Sequence, residues 1–220
     1  QVQPNVLWRN DGPAGDGTWT FADASAGSGA DVPMDGMGLA IGDYNLDGLL
    51  DIYVTNIGDA VLLRNDGKGL KFTDSAGDAG AAIGRFGGKD RVTWGAMFLD
   101  FDNDGDEDLY VVSGFLSYVR ALGDDALTFE PAYHKAQPNV LLRNEGDGKF
   151  VDVSRISGAD DPGIGRGGVY FDFDNDGCLD LFVANSGQSA KLFRNACASG
   201  NSWLAVRPEG TMSNRDAVGA

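Results

Sequence analysis

A nine-residue acidic phrase occurs three times in this chain, and each copy lies between two short apolar runs. The copies begin at Asp43, Asp100 and Asp172, with Asp or Asn at positions 1, 3, 5 and 9 and glycine at position 6. A second phrase, an Arg-Asn pair, alternates with the first, and its arginines are Arg9, Arg64, Arg143 and Arg194. In the first three copies Asp or Glu and then Gly follow the pair. Two phrases repeated in alternation indicate one structural unit that is used several times.

The apolar runs predict short, mostly buried β-strands, because they are rich in β-branched and aromatic residues and bounded by Gly, Asp and Asn. The runs before the acidic phrase are 38–41, 95–99 and 168–171, and the runs after it are 52–55, 109–112 and 181–184. The Arg-Asn phrases predict hairpins turned by Asn, Asp and Gly. The repeat unit is therefore four antiparallel strands. The predicted fold class is all-β, a β-propeller of four-stranded blades with about three full blades plus half-blades.

The spacing of the acidic phrase is that of a loop that wraps a hard cation. Oxygen ligands at alternate positions point inward, glycine at position 6 permits the sharp turn, and position 7 supplies a backbone carbonyl. An EF-hand would need a glutamate at position 12, but Val54, Val111 and Val183 stand there, so the aspartate at position 9 is the expected last ligand. The predicted side-chain ligands are Asp43, Asn45, Asp47, Asp51, Asp100, Asp102, Asp104, Asp108, Asp172, Asp174, Asp176 and Asp180, with the carbonyls of Leu49, Asp106 and Cys178.

Such all-oxygen ligand sets favour Ca²⁺ over Mg²⁺, which prefers to keep its waters. The sequence therefore predicts about three calcium ions as the cofactor. The first site should bind most weakly, because Asn45 replaces an aspartate and removes one negative charge.

The net charge excludes several classes of function. The 33 Asp and Glu residues oppose 17 Lys and Arg residues, which gives a formal charge of −16 that would repel nucleic acid and anionic lipid. No apolar run approaches the roughly 18 residues of a membrane span, so we expect neither nucleic-acid binding nor direct membrane insertion. The hydrophobic fraction of 42% is sufficient for a packed core.

The two alternating phrases resemble the FG-GAP/VCBS repeats of integrin-α-like β-propellers, whose blades carry calcium loops between their first and second strands. The resemblance covers about residues 5–195. It implies a secreted or cell-surface (extracellular or periplasmic) calcium-dependent propeller of about seven blades, and it implies no reaction. Because the chain has too few repeats for such a ring, we expect it to be a segment of a longer propeller. The alternative is that further copies of the chain complete the sheet.

The last residues resemble a different segment. Asn201, Trp203, Leu204 and the run 213–220 are similar to the opening of the ASPIC/UnbV segment, which follows such repeats in secreted proteins. This resemblance implies propeller blades at 1–197 and the start of an ASPIC/UnbV-like segment at 198–220.

Cys178 and Cys197 bracket a predicted hairpin, so we expect them to be cross-strand neighbours joined in a disulfide. Such a bond is typical of an oxidising compartment. Two insertions, at about 76–92 and 114–137, interrupt the repeats, and the second contains the single histidine, His134. The four repeated arginines are interpreted as holding blades together, because each has a fixed place in its repeat.

The predicted function is a calcium-binding module with a structural, adhesion or ligand-binding role. Its expected partner is a protein or glycan ligand, or further copies of the chain. We predict no catalytic residue, because no Ser or Cys nucleophile lies in a recognisable motif and His134 stands alone. The alternative function is a calcium-dependent polysaccharide lyase or hydrolase on a propeller scaffold.

Overall fold

The computed structural model describes residues 2–67, 69–115 and 137–211. Its strands are β1 (Trp8–Pro13), β2 (Trp19–Asp23), β3 (Leu39–Gly42), β4 (Asp51–Val54), β5 (Val61–Asn65), β6 (Phe72–Asp74), β7 (Arg85–Phe86), β8 (Lys89–Asp90), β9 (Thr93–Leu99), β10 (Asp108–Ser113), β11 (Val140–Asn144), β12 (Phe150–Asp152), β13 (Gly165–Phe171), β14 (Asp180–Asn185) and β15 (Lys191–Phe193). The helices α1 (Ala76–Ala79) and α2 (Ser154–Ser157) are four residues each. The predicted all-β class is confirmed.

The strands form small antiparallel sheets in the order expected of propeller blades. Strands β3–β6 form a four-stranded sheet, the first blade, and strands β9–β12 form another, the second blade. Strands β13–β15 form a three-stranded sheet, the third blade, and β1 pairs with β2 in an N-terminal hairpin. Within the described residues these sheets follow one another without closing a ring.

The core lies between the blades, and strand β10 shows how it is built. Alternate side chains of a strand point to opposite faces of the sheet. Leu109 and Val111 belong to an apolar cluster shared with the first blade, whereas Tyr110 and Val112 belong to a cluster shared with the third blade. All four side chains are 0% exposed, so this strand of the second blade is buried on both faces.

The first insertion forms α1 and the small hairpin β7–β8. Most of the second insertion, with His134, lies outside the described residues. Its two ends are held by hydrogen bonds from the second blade and the segment before it. The Trp94 indole donates to the Gly114 carbonyl at 2.5 Å, and the Val92 N–H donates to Gln137 Oε1 at 2.9 Å.

Candidate metal centres

The three acidic phrases fold as three loops of the same shape, each connecting the first strand of a blade to the second. They are named loop 1 (43–51), loop 2 (100–108) and loop 3 (172–180). In each, position 4 and the glycine at position 6 have positive φ. The values are 54° and 84° for Leu46 and Gly48, 57° and 95° for Asn103 and Gly105, and 59° and 89° for Asn175 and Gly177. Only glycine adopts this region freely, which explains the glycine at position 6.

The aspartate at position 1 organises each loop by accepting two backbone hydrogen bonds. The N–H groups of positions 5 and 6 donate to its two carboxylate oxygens at 2.8–3.1 Å in all three loops. The position-7 residues Leu49, Asp106 and Cys178 donate their N–H groups to the carboxylate at position 5. The chain is thereby bent around its own carboxylates.

The aspartate at position 9 lies beneath each loop. Asp51, Asp108 and Asp180 are each 0% exposed. Each accepts the backbone N–H of the asparagine in its own blade's Arg-Asn phrase, at 2.7–2.8 Å. Burial raises the pKa of Asp51 to about 6 and that of Asp108 to about 8, because a charged carboxylate loses hydration there.

In loops 2 and 3 the carboxylates of positions 1, 3 and 9 converge. Single carboxylate oxygens of Asp100, Asp102 and Asp108 all lie within 4.8 Å of one another, and the same holds for Asp172, Asp174 and Asp180. In loop 1 the amide of Asn45 takes the place of the middle carboxylate and donates to Asp47 Oδ2 at 3.0 Å. The predicted ligands at positions 1, 3 and 9 therefore lie together in loops 2 and 3.

Two of the loops contain buried oxygens that lack a hydrogen-bond donor. Within the described residues, Asp51 Oδ2 in loop 1 and Asp102 Oδ1 in loop 2 are buried and have no partner. Burial, with the nearby charges of Asp104 and Asp100, raises the pKa of Asp102. An unpaired buried carboxylate oxygen is costly, and a cation removes that cost. The donor set, all oxygen and strongly anionic, fits a hard divalent cation such as Ca²⁺.

Comparison with known proteins agrees with this geometry. The FG-GAP-like repeat family matches residues 43–111 and 124–183, which include all three loops. The chain belongs to the FG-GAP-like repeat family.

The chain is also similar to cartilage acidic protein 1 of several vertebrates. It is 30% identical to the Homo sapiens protein over 213 residues, which cover 93% of this chain and 28% of that protein. Identity is also 30% to the Mus musculus and Xenopus tropicalis proteins, with 93% of this chain and 29% of each of them covered. The chain thus spans less than a third of the length of these curated relatives. Among the described residues, no helix has the length and hydrophobicity that crossing a membrane requires.

The asparagine of the Arg-Asn phrase is a functional residue that the sequence reasoning missed. Besides its backbone bond to position 9, its side chain joins one FG-GAP-like repeat to the preceding one. Asn144 Nδ2 donates to the Tyr44 carbonyl in loop 1 at 2.7 Å, and Asn195 Nδ2 donates to the Phe101 carbonyl in loop 2 at 2.6 Å. The recurrence of Asn beside every repeated Arg was the available signal.

The arginines of the same phrase do not hold blades together, contrary to the interpretation from sequence. Arg9, Arg64 and Arg143 each form an ion pair with the acid two residues later in the same hairpin, Asp11, Asp66 or Glu145. Arg194 instead contacts loop 3 of its own blade, through Asp174 and Asp176. All of these pairs lie within a single blade or hairpin.

The structure joins Cys178 and Cys197 in a disulfide with Cα atoms 5.8 Å apart. Asp176, Cys178 and Cys197 also lie close enough to form a metal-binding group, but the two sulfurs are bonded to each other. The described part of the tail has neither helix nor strand beyond residue 193, and it contacts two loops. Asn201 Nδ2 donates to the Asp102 carbonyl at 3.0 Å, and the Trp203 indole lies against Gly177.

Proposed function

We propose that this chain is a calcium-binding β-propeller module with a structural, adhesion or ligand-binding role outside the cell. The observation that carries the proposal is loop 2. Three carboxylates converge there, Asp108 is fully buried, and Asp102 Oδ1 is buried with no donor among residues 2–67, 69–115 and 137–211. The nearest repeated arginine in this blade, Arg143, is paired with Glu145. A bound Ca²⁺ would supply the positive charge that this arrangement lacks.

Each loop would hold one ion with the side chains of positions 1, 3, 5 and 9 and the carbonyl of position 7. The ion would neutralise clustered carboxylates and fix the edge at which neighbouring blades meet. Its binding free energy would add to the stability of the folded state, since the unfolded chain offers no formed site. Calcium therefore has a structural role here and takes part in no chemical step.

Three observations support the extracellular and non-enzymatic parts of the proposal. The chain belongs to the FG-GAP-like repeat family, and its resemblance to this family implies a secreted protein that catalyses no reaction. The chain is also similar to cartilage acidic protein 1. The disulfide between Cys178 and Cys197 is typical of an oxidising compartment. We propose that the partner is a protein or glycan, and that residues 198–220 form the start of an ASPIC/UnbV-like segment after the blades at 1–197.

Thermal unfolding with defined metals tests the calcium proposal. We expect removal of calcium to lower the Tm, Ca²⁺ to restore it, and Mg²⁺ at the same concentration not to restore it. Native mass spectrometry should count three calcium ions at saturation. A chain that binds no calcium, or that melts identically with and without it, would contradict the proposal.

A matched pair of variants tests whether calcium binds in loops 1 and 2. Asp102→Asn gives loop 2 the amide that loop 1 carries, and Asn45→Asp gives loop 1 the missing carboxylate. We expect the first change to weaken calcium binding and the second to strengthen it. Calcium-dependent cleavage of acidic glycans by the same preparation would contradict the non-enzymatic role.

A further inference from the structure

The fourth Arg-Asn phrase differs from the others at one position. In the first three copies an acid stands two residues after the arginine, but Ala196 stands two residues after Arg194. The Arg194 guanidinium contacts Asp174 Oδ2 at 2.6 Å and Asp176 Oδ2 at 3.1 Å. These are positions 3 and 5 of loop 3. A cationic side chain therefore lies on two of the carboxylates proposed to hold calcium.

In the second blade the corresponding arginine pairs with an acid of its own hairpin. Arg143 donates to Glu145 Oε1 through both Nε and Nη2, at 3.0 Å and 2.6 Å. It is still close enough to Asp102 for its charge to lower the pKa of that carboxyl, against the larger effect of burial. Within the part of the chain that the structure describes, Asp102 Oδ1 nevertheless has no hydrogen-bond partner. Among the described residues, Arg143 thus forms its ion pair with Glu145 and not with a carboxylate of loop 2.

Loops 2 and 3 are alike in shape but differ in how the carboxylate at position 3 is paired. Asp174 occupies the same position in loop 3 that Asp102 occupies in loop 2. Asp102 has a buried oxygen without a partner among the described residues, whereas Asp174 is paired with Arg194. The pairing also lowers the pKa of Asp174, chiefly through the hydrogen bond from Arg194.

We propose that Arg194 is an internal cation of loop 3 that competes with Ca²⁺ for Asp174 and Asp176. This inference rests on the proposed calcium-binding function. Calcium must displace the guanidinium before those carboxylates can bind the ion, so loop 3 binds calcium more weakly than loop 2. Without calcium, Arg194 offsets part of the repulsion among the loop 3 carboxylates. The calcium affinity of a blade's acidic loop therefore depends on one residue of the Arg-Asn phrase in the same blade. That residue is the one two positions after the arginine, and what matters is whether it is acidic.

The size of the effect follows from the exposure of the pair. The side chain of Arg194 is 60% exposed, and those of Asp174 and Asp176 are 27% and 28% exposed. Exposed ion pairs are weak because water screens them. Freeing the carboxylates from Arg194 should therefore raise the calcium affinity of loop 3 by about two-fold to ten-fold.

The test exchanges the deciding residue between the two blades. Ala196→Asp gives Arg194 the acid that Arg143 has, and Arg194→Ala removes the cation, so both should raise the affinity of loop 3. Glu145→Ala releases Arg143 toward Asp102 and should lower the affinity of loop 2. Ala196→Asn is the control for side-chain size, and Arg9→Ala is the control for loss of an arginine in the N-terminal hairpin. Neither control should change any calcium affinity.

The affinities are measured by native mass spectrometry at stepped concentrations of free Ca²⁺, with loop 3 assigned by terbium luminescence. The Trp203 indole lies against Gly177 in loop 3, so it should sensitise terbium bound there. Trp203→Phe should abolish that emission and so identify it. Melting of each calcium-free variant checks that it is folded.

The expected result is a stronger loop 3 in Arg194→Ala and Ala196→Asp and a weaker loop 2 in Glu145→Ala. Calcium binding to folded variants with affinities equal to those of the unmodified chain would overturn the role of Arg194 while leaving calcium binding intact. Failure of the unmodified chain to bind any calcium would overturn both proposals.

Discussion

The side chain of Asn144 in the second blade donates a 2.7 Å hydrogen bond to the backbone carbonyl of Tyr44, which lies in loop 1 of the first blade, 100 residues earlier. Asn144 is 2% exposed, and its amide also donates to the Glu107 carbonyl at 3.2 Å. Asn195 repeats this contact one blade later. Asn144 and Asn195 thus each connect consecutive loops at one edge of the propeller.

Asn144→Ala should therefore destabilise the protein. The substitution leaves two carbonyls near the inter-blade boundary without their donor, and an unsatisfied buried polar group costs about 1–3 kcal/mol. The control is Asn65→Ala, because within the described residues the Asn65 side chain donates to its own blade, to the Leu50 carbonyl at 3.2 Å. Chemical denaturation at saturating calcium should show the larger loss for Asn144→Ala. Equal losses in the two variants would contradict a role between blades.

Glycine at the start of a blade's first strand permits a close approach between blades. Thr55 Oγ1 donates to the Trp94 carbonyl of the second blade at 2.8 Å, and Gly38 N donates to Thr55 Oγ1 at 2.7 Å. A Cβ on Gly38 would overlap the Trp94 carbonyl, so the two strands could not keep their spacing.

Gly38→Ala should lower the free energy of unfolding by about 1–3 kcal/mol, the cost of forcing extra atoms into a packed contact. Gly77→Ala is the control, because Gly77 lies in α1 and an added Cβ would meet no atom within 4 Å. That change should be neutral or should stabilise by about 0.4–1 kcal/mol through the unfolded state. The comparison requires urea unfolding of both variants, and a neutral Gly38→Ala would contradict the close approach.

Much of the fold could be predicted from sequence, because its signals are local. The run 109–112 predicted a strand, and β10 spans Asp108–Ser113, since β-branched and aromatic residues between Asp and Gly fix both the type and the ends of the strand. The expected hairpin around 185–190 likewise agrees with β14 and β15. The contact of Asn144 with Tyr44 could not be predicted in this way, because it depends on how two blades pack. The interpretation of Arg194 was wrong for a related reason, since its contacts with Asp174 and Asp176 depend on how the chain folds back on loop 3.

Loss of the disulfide between Cys178 and Cys197 should destabilise the third blade. The bond closes a sequence separation of 19 residues, and a loop of that size contributes about 3 kcal/mol by restricting the unfolded chain. We expect reductant to lower the Tm of the unmodified chain and to leave the Tm of a Cys178→Ser, Cys197→Ser double variant unchanged. The disulfide also restrains Cys178, whose backbone carbonyl is the proposed position-7 ligand of loop 3. Because the double variant lacks this restraint, it should bind calcium more weakly in loop 3. A Tm that does not respond to reductant would contradict the bond.

Asp51 and Asp108, the buried aspartates at position 9 of loops 1 and 2, predict opposite effects of pH with and without calcium. The pKa of Asp108 is raised from 3.8 to about 8 and that of Asp51 to about 6, mainly by burial. In the calcium-free protein the folded state keeps these protons at pH values where the unfolded chain has released them. Their contribution to stability is therefore complete below pH ~4 and is lost as pH rises through about 6 and 8.

Calcium should reverse this dependence, because under the proposed function it would bind the deprotonated carboxylates and compete with protons. Between pH 5 and 8 the Tm of the calcium-free chain should fall by about 3–5 °C per pH unit, which corresponds to roughly one proton. With calcium the Tm should rise over the same interval, so the gap between the two curves widens toward pH 8. Asp108→Asn cannot ionise, so it should flatten the calcium-free curve above pH ~6 and remove one calcium ion from the count. A calcium-free Tm that rises from pH 5 to 8 would contradict protonated carboxyls at Asp51 and Asp108.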